Sequence, residues 1–251
     1  MKDNRRPNYA LDAPRVVRNL LIVAALGILS LITKLLGVWS REDVIAVIAW
    51  PLITAGLSCG AMGLWMVYDS KLGKVREREH FLDKLVWRGD ERVLDVGCGL
   101  GLFLIGAAKR LETGRAVGID LWQAEDLSGN TPAGTLDNAT IEGVADKVEV
   151  HTGDARKLPF DDASFDVVLS SAALHNIYDA GERQTAVREI ARVLESGGRV
   201  LIVDVRHINQ YASTLRDAGV DARCVQGIGS YLLTVISFGS IRWGYVIGSK
   251  S

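Results

Sequence analysis

"VLDVGCGLG", Val93 to Gly101, decides the fold. A short apolar run carrying one acid, Asp95, ends on three spaced glycines, Gly97, Gly99 and Gly101. A parallel strand that enters a helix through such a turn brings a ligand very near the backbone and aims N–H groups at it. The turn therefore reads as a nucleotide-type cofactor site, with a ligand-free tight turn as the alternative. A dinucleotide fingerprint needs GxGxxG. Here Gly101 falls one place early and Leu102 stands at the third glycine's position, which disfavours a nicotinamide or flavin dinucleotide.

Outward from this turn, strand and helix alternate. "RVLDVG" is followed by the helical "LGLFLIGAAKRLE", the strand "RAVGID" and a helix from Thr131 with Pro132 at its first position. Then come the strands "KVEVHTGD" and "SFDVVLSSAAL", a helix stopped by Gly197-Gly198, and the strand "RVLIVDVR". A helix over "INQYASTLRDAGV" and weaker strands near 222–226 and 241–247 complete the pattern. Near-continuous apolar strands alternating with helices predict an α/β fold with a doubly wound, mostly parallel seven-stranded sheet. The second strand ends on Asp120, suited to ribose hydroxyls, and the third on Asp154, suited to an exocyclic amine.

Ahead of this domain lies apolar sequence. Leu20 to Thr33 carries no charge, Lys34 interrupts, and Val44 to Tyr68 is again free of charge. A helix of the second length reaches about 37 Å, enough to cross a hydrocarbon core of about 30 Å. The expectation is two transmembrane helices, about 17–39 and 44–68, joined by the polar turn Ser40–Asp43. Residues 1–72 then form an N-terminal hairpin segment and 73–251 the catalytic domain. Lys2, Arg5, Arg6, Arg15 and Arg18 precede the first helix, and Lys71, Lys74, Arg76 and Arg78 follow the second. That asymmetry predicts a multi-pass membrane protein with both termini and the catalytic domain cytoplasmic.

The 251 residues carry a formal net charge of −1, so no basic field points to nucleic acid. Cys59, Cys98 and Cys224 form no CxxC pair, which leaves neither a metal site nor a disulfide framework.

Residues 93–250 resemble class I S-adenosylmethionine-dependent methyltransferases, Rossmann-like enzymes. "VLDVGCGLG" is similar to that family's first motif, "VGIDLW" to its second strand, "GDARKLPFDDASFDVVLSSAALHNI" to its adenine-binding stretch and fourth strand, and "EIARVLESGGRVLIVD" to the helix and strand after it. One departure is Ser196, where the family often has proline. The resemblance implies S-adenosyl-L-methionine as cofactor. Asp95 with the turn at Gly97, Cys98, Gly99 and Gly101 would hold its methionine end. Asp120 would bind the ribose, Leu121 would pack on the adenine, and Asp154 with Ala155 would meet the adenine amine. Ser170 and Ser171 would lie near the sulfonium.

Methyl transfer from a sulfonium needs chiefly alignment, and a base only where the acceptor loses a proton. His175, just past the fourth strand, is the candidate base, with a loop-orienting histidine as the structural alternative. Asn176, Tyr178 and Asp179 share its loop, and Arg206 and His207 follow the fifth strand at the same edge. The expected acceptor is a small or lipid-soluble molecule, with "SYLLTVISFGSIRW", Ser230 to Trp243, as apolar lining. A silent nucleotide-binding scaffold at the membrane and a dinucleotide oxidoreductase are the competing functions.

Overall fold

The computed structural model describes residues 5–10, 14–38, 44–68, 73–123, 127–226 and 244–251. The polar turn at Ser40–Asp43, Lys71 and the apolar stretch 230–243 lie outside the described residues. The chain forms two compact units. Met1–Tyr9, Glu77–Gln123 and Asn130–Ser251 make one, and Ala10–Arg76 with Ala124–Gly129 the other.

The smaller unit holds two helices, α1 (Pro14–Leu35) and α2 (Val44–Tyr68), so the first begins and ends earlier than the sequence suggests. Both are long and apolar enough to cross a membrane. Small residues form their seam. A Cβ on Gly27 would stand 2.7 Å from the Gly56 Cα, and one on Gly60 would stand 3.3 Å from the Ala24 Cβ. Close backbone approach through small residues is how helices associate where no water drives them together. Large apolar side chains, among them Ile28, Leu57, Leu64 and Trp65, are exposed instead. Lys34, the charge that interrupts the first run, sets its ammonium 4.0 Å from the Trp50 ring centre, a favourable cation–π geometry.

After α3 (Lys74–Leu82), most of which belongs to the larger unit, strand and helix alternate. Its elements are β1 (Arg92–Val96), α4 (Leu102–Ala108), β2 (Arg115–Asp120), α5 (Pro132–Ile141), β3 (Val148–Thr152), β4 (Phe165–Ser171), α6 (Ala180–Val193), β5 (Leu194–Asp204), α7 (Ile208–Asp217), β6 (Val220–Val225) and β7 (Gly244–Lys250). The sheet order is β3-β2-β1-β4-β5-β7-β6, seven strands as expected. β1 lies parallel to both β2 and β4, so the strand order reverses there and opens a crevice at their carboxyl ends. β7 runs antiparallel to both of its neighbours, β5 and β6.

Local sequence explains most boundaries. Thr131 Oγ1 accepts from the Gly134 N–H at 3.1 Å and caps α5, with Pro132 at its first position. One boundary differs. α6 stops at Val193, before the Gly197-Gly198 pair, because buried Leu194 already pairs with Phe165 across the sheet. The ladder then shifts register, and the glycines fall within β5.

Residues 5–9 belong to this larger unit rather than to the hairpin segment that the sequence groups them with. The Asn8 N–H donates to Asn138 Oδ1 at 2.8 Å, and Asn138 Nδ2 returns a bond to the Asn8 carbonyl at 2.9 Å. Tyr9 Oη bonds the Glu142 carboxylate and accepts from Arg78 Nη1 at 3.1 Å. Arg78 is 2% exposed and meets Glu142 at 3.2 Å, where Lys109 also pairs. Glu142 keeps Lys109 when Arg78 is removed, so the loss is on the scale of a hydrogen bond to a charged group, about 1.5–3 kcal/mol. Arg78→Met is therefore expected to destabilise the larger unit by about that much in urea unfolding. A change below about 0.5 kcal/mol, the ordinary surface range, contradicts the buried clasp.

Candidate cofactor and active site

The crevice is built at the carboxyl ends of β1, β2, β4 and β5. At β1, Gly97 (φ 73°), Gly99 (φ 53°) and Gly101 (φ 85°) are all left-handed, a region that glycine enters without strain. Gly97 is fixed by space as well, since a Cβ there would lie 2.2 Å from the Ala173 Cβ in the loop after β4. The turn's amides are not open to a ligand as the sequence suggests. Gly97 and Cys98 donate to the Ile119 carbonyl at 2.8 and 3.2 Å, and Gly99 donates to Asp120 Oδ2 at 2.9 Å. Its carbonyls are braced too. Thr135 Oγ1 donates to Gly99 O at 2.7 Å, and Asn138 Nδ2 donates to Leu100 O at 3.0 Å. Cys98 packs inward, its thiol pushed well up by burial and secondarily by the Asp95 and Asp120 charges.

Asp95 is 1% exposed. Its carboxylate accepts from the Leu104 N–H at the start of α4, yet Oδ1 has no partner among the described residues. Burial, with the Asp120 charge adding, pushes its pKa up to about 7. Asp120 is held by three donors. Besides Gly99, the Trp122 N–H reaches Oδ1 at 2.6 Å and Asn130 Nδ2 at 3.1 Å. Leu121 beside it is 48% exposed, an apolar side chain open to stacking. Asp154 has both oxygens on the Arg156 guanidinium, with Nε at 2.9 Å from each, and Arg156 holds the carboxyl below its usual range. Ala155 packs against the core. Thus Asp95, Asp120 and Leu121 gather at the crevice, whereas Asp154 is engaged by its own neighbour.

On the β4 side, buried Ser170 donates its hydroxyl to the Val96 carbonyl at 2.8 Å and ties two strand ends together. Ser171 stays partly exposed. Asp179 caps α6, accepting from the Glu182 N–H at 2.8 Å, and Tyr178 stands 96% exposed between Asp179 and the His175 turn.

His175 has a partner the sequence does not announce. Its Nδ1 lies 2.6 Å from Asp204 Oδ1, and its N–H donates to Asp204 Oδ2 at 3.1 Å. Asp204, the last residue of β5, is fully buried and also accepts from the Val205 N–H at 2.7 Å and Tyr211 Oη at 3.3 Å. An acceptor-only carboxylate puts the ring proton on Nδ1 and leaves Nε2 as the acceptor. Sequence reasoning passed over Asp204 and Asn130, the partners of His175 and Asp120. A strand-terminal acid was a readable signal for Asp204, the same one that marks Asp120. His207, at the start of α7, is lowered in pKa by burial and then by Arg183.

The fold is a Rossmann-like domain whose strand order reverses between β1 and its two neighbours. Residues 94–202 match the family model described as a methyltransferase domain. The 27-O-demethylrifamycin SV methyltransferase of Amycolatopsis mediterranei is 33% identical over 180 residues, covering 70% of this chain and 60% of that protein. The chloroplastic 2-phytyl-1,4-beta-naphthoquinone methyltransferase of Arabidopsis thaliana is 36% identical over 155 residues, 59% of this chain and 57% of that one. Among solved structures, geranyl diphosphate C-methyltransferase from Streptomyces coelicolor superposes with a TM-score of 0.56 at 16% identity, over 70% of this chain and 79% of that chain, a likeness of fold. The chain thus spans less than two thirds of those two relatives' lengths. Residues 94–202 thus carry a methyltransferase domain, similar to those of the class I S-adenosylmethionine-dependent enzymes.

The crevice fits that cofactor. The two buried side-chain atoms without a partner among the described residues, Asp95 Oδ1 and Asn130 Oδ1, are both acceptors at or beside this turn, and the cofactor's ammonium and hydroxyls are donors.

Proposed function

We propose that this protein is a membrane-anchored methyltransferase whose small, lipid-soluble acceptor, of the phenol or quinol kind, loses a proton as it is methylated. The observation that carries the reading is Asp95, a buried carboxylate at the switch point with one oxygen unpaired among the described residues. When bound, S-adenosylmethionine supplies an electrophilic methyl group on a sulfonium. Asp95 holds the ammonium, Asp120 the sugar, and Leu121 lies against the base. His175 Nε2 accepts the acceptor's proton, and Asp204 steadies the imidazolium that results. A paired, partly exposed histidine at the acceptor edge favours turnover over silent binding.

The hairpin is the reading's second part. Outward apolar faces on α1 and α2 and their small-residue seam support insertion. Tyr9 and Arg78, which flank the hairpin in the sequence, meet at 3.1 Å, and that contact supports a reading in which both flanks lie on one side of the bilayer. The basic flanks make that side cytoplasmic. Anchoring raises the local concentration of an apolar acceptor at the site. The relatives act, by their names, on a naphthoquinone and on a demethylrifamycin.

Membranes holding the protein are expected to transfer labelled methyl from S-adenosylmethionine to a long-tailed quinol, identified by product mass. An impermeant thiol reagent added to whole cells is expected to label Val38→Cys but not Arg6→Cys. No transfer to any phenolic or quinol acceptor at saturating cofactor sinks the catalytic reading, and equal labelling at both positions sinks the topology.

A further inference from the structure

We infer that Asn130 is a cofactor-binding residue, its Oδ1 accepting a hydrogen bond from a ribose hydroxyl. The inference deepens the proposed function and rests on it. Asn130 is 6% exposed, and its Nδ2 donates to Asp120 Oδ1 at 3.1 Å. That bond fixes the amide's orientation, since a flip would set its oxygen against a carboxylate oxygen. Oδ1 is then left buried with no partner among the described residues. Buried polar atoms are nearly always satisfied, so an orphan calls for a missing partner. Oδ1 is an acceptor, and the missing partner is a donor.

Asp120 explains why a second acceptor is needed. A carboxylate offers about four lone-pair directions. Three N–H groups already point at Asp120, from Gly99 at 2.9 Å, Trp122 at 2.6 Å and Asn130 at 3.1 Å. A ribose diol brings two hydroxyl donors. One finds the remaining direction on Asp120, and the other finds Asn130 Oδ1 on the adjoining side chain. The backbone beside Asn130 is held in place, because Thr131 is the N-cap of α5 and Pro132 its first residue.

The test is calorimetric binding of S-adenosylhomocysteine and its 2′-deoxy and 3′-deoxy forms to the full chain. Asn130→Ala is expected to weaken S-adenosylhomocysteine about tenfold, the scale of one lost hydrogen bond. The same variant is expected to leave the affinity for one of the deoxy forms unchanged, because the hydroxyl that Asn130 serves is gone. Equal weakening for all three ligands overturns the inference and makes Asn130 a support for Asp120 only. No weakening for any overturns it too. Should Asn130→Ala fail to fold, the unaltered chain carries the test. The Asn130 side-chain amide resonances shift with S-adenosylhomocysteine and not with one deoxy form, and identical shifts with all three overturn the inference. An unaltered chain that binds none of the ligands removes the methyltransferase reading and this inference together. Binding to the unaltered chain with Asn130→Ala indifferent removes this inference alone.

Discussion

Asp204→Asn lowers kcat by about 10²–10⁴-fold and leaves S-adenosylhomocysteine affinity unchanged. The carboxylate lies 2.6 Å from His175 Nδ1 and keeps the ring proton there. An asparagine amide permits the opposite tautomer, which turns Nε2 from acceptor to donor and removes the base. His175→Ala costs a similar factor. The double variant costs no more than the larger single effect, because the two side chains act as a unit. Tyr211→Phe is the control. It removes a 3.3 Å contact to the same carboxylate and leaves the histidine bond in place, so its kcat stays close to that of the unaltered protein. Turnover that survives Asp204→Asn, with the chain folded, would remove the pair from the mechanism.

Asp95→Asn is expected to weaken S-adenosylhomocysteine binding by about 1.5–3 kcal/mol, the range for a hydrogen bond to a charged group. It is also expected to raise thermal stability at neutral pH. The sign follows from linkage. The folded-state pKa is raised from 3.8 to about 7, chiefly by burial. Between those values the native state holds a proton that the unfolded chain has released, so stability falls as pH rises from about 4 to about 7. Asparagine carries no such proton and flattens that slope. A bound ammonium acts in the opposite sense by favouring the ionised carboxylate. Ligand affinity therefore rises with pH up to about 7, and binding below that pH releases a proton. Calorimetry in buffers of different ionisation enthalpy reads that proton. Affinity that is independent of pH, together with unchanged binding in Asp95→Asn, would show that Asp95 only caps α4.

The sequence alone determined the α/β class, the glycine turn, the strand-end acids Asp95 and Asp120, the Thr131 cap of α5 and the two apolar helices. Each is written in a local run, by hydrophobic period, by glycine where a turn needs it, or by charge at the end of an apolar stretch. Tertiary structure decided the rest. Asp204 meets His175 only because β4 and β5 lie side by side, and residues 5–9 reach α5 only by folding back on the larger unit. Packing likewise ended α6 at Val193, tied Asp154 to Arg156, and turned the amides of Gly97, Cys98 and Gly99 onto protein acceptors. The physical reason is one of range. Propensity and periodicity act over a few neighbouring residues, whereas hydrogen-bond partners and buried charges are assigned by segments that meet only in the folded chain.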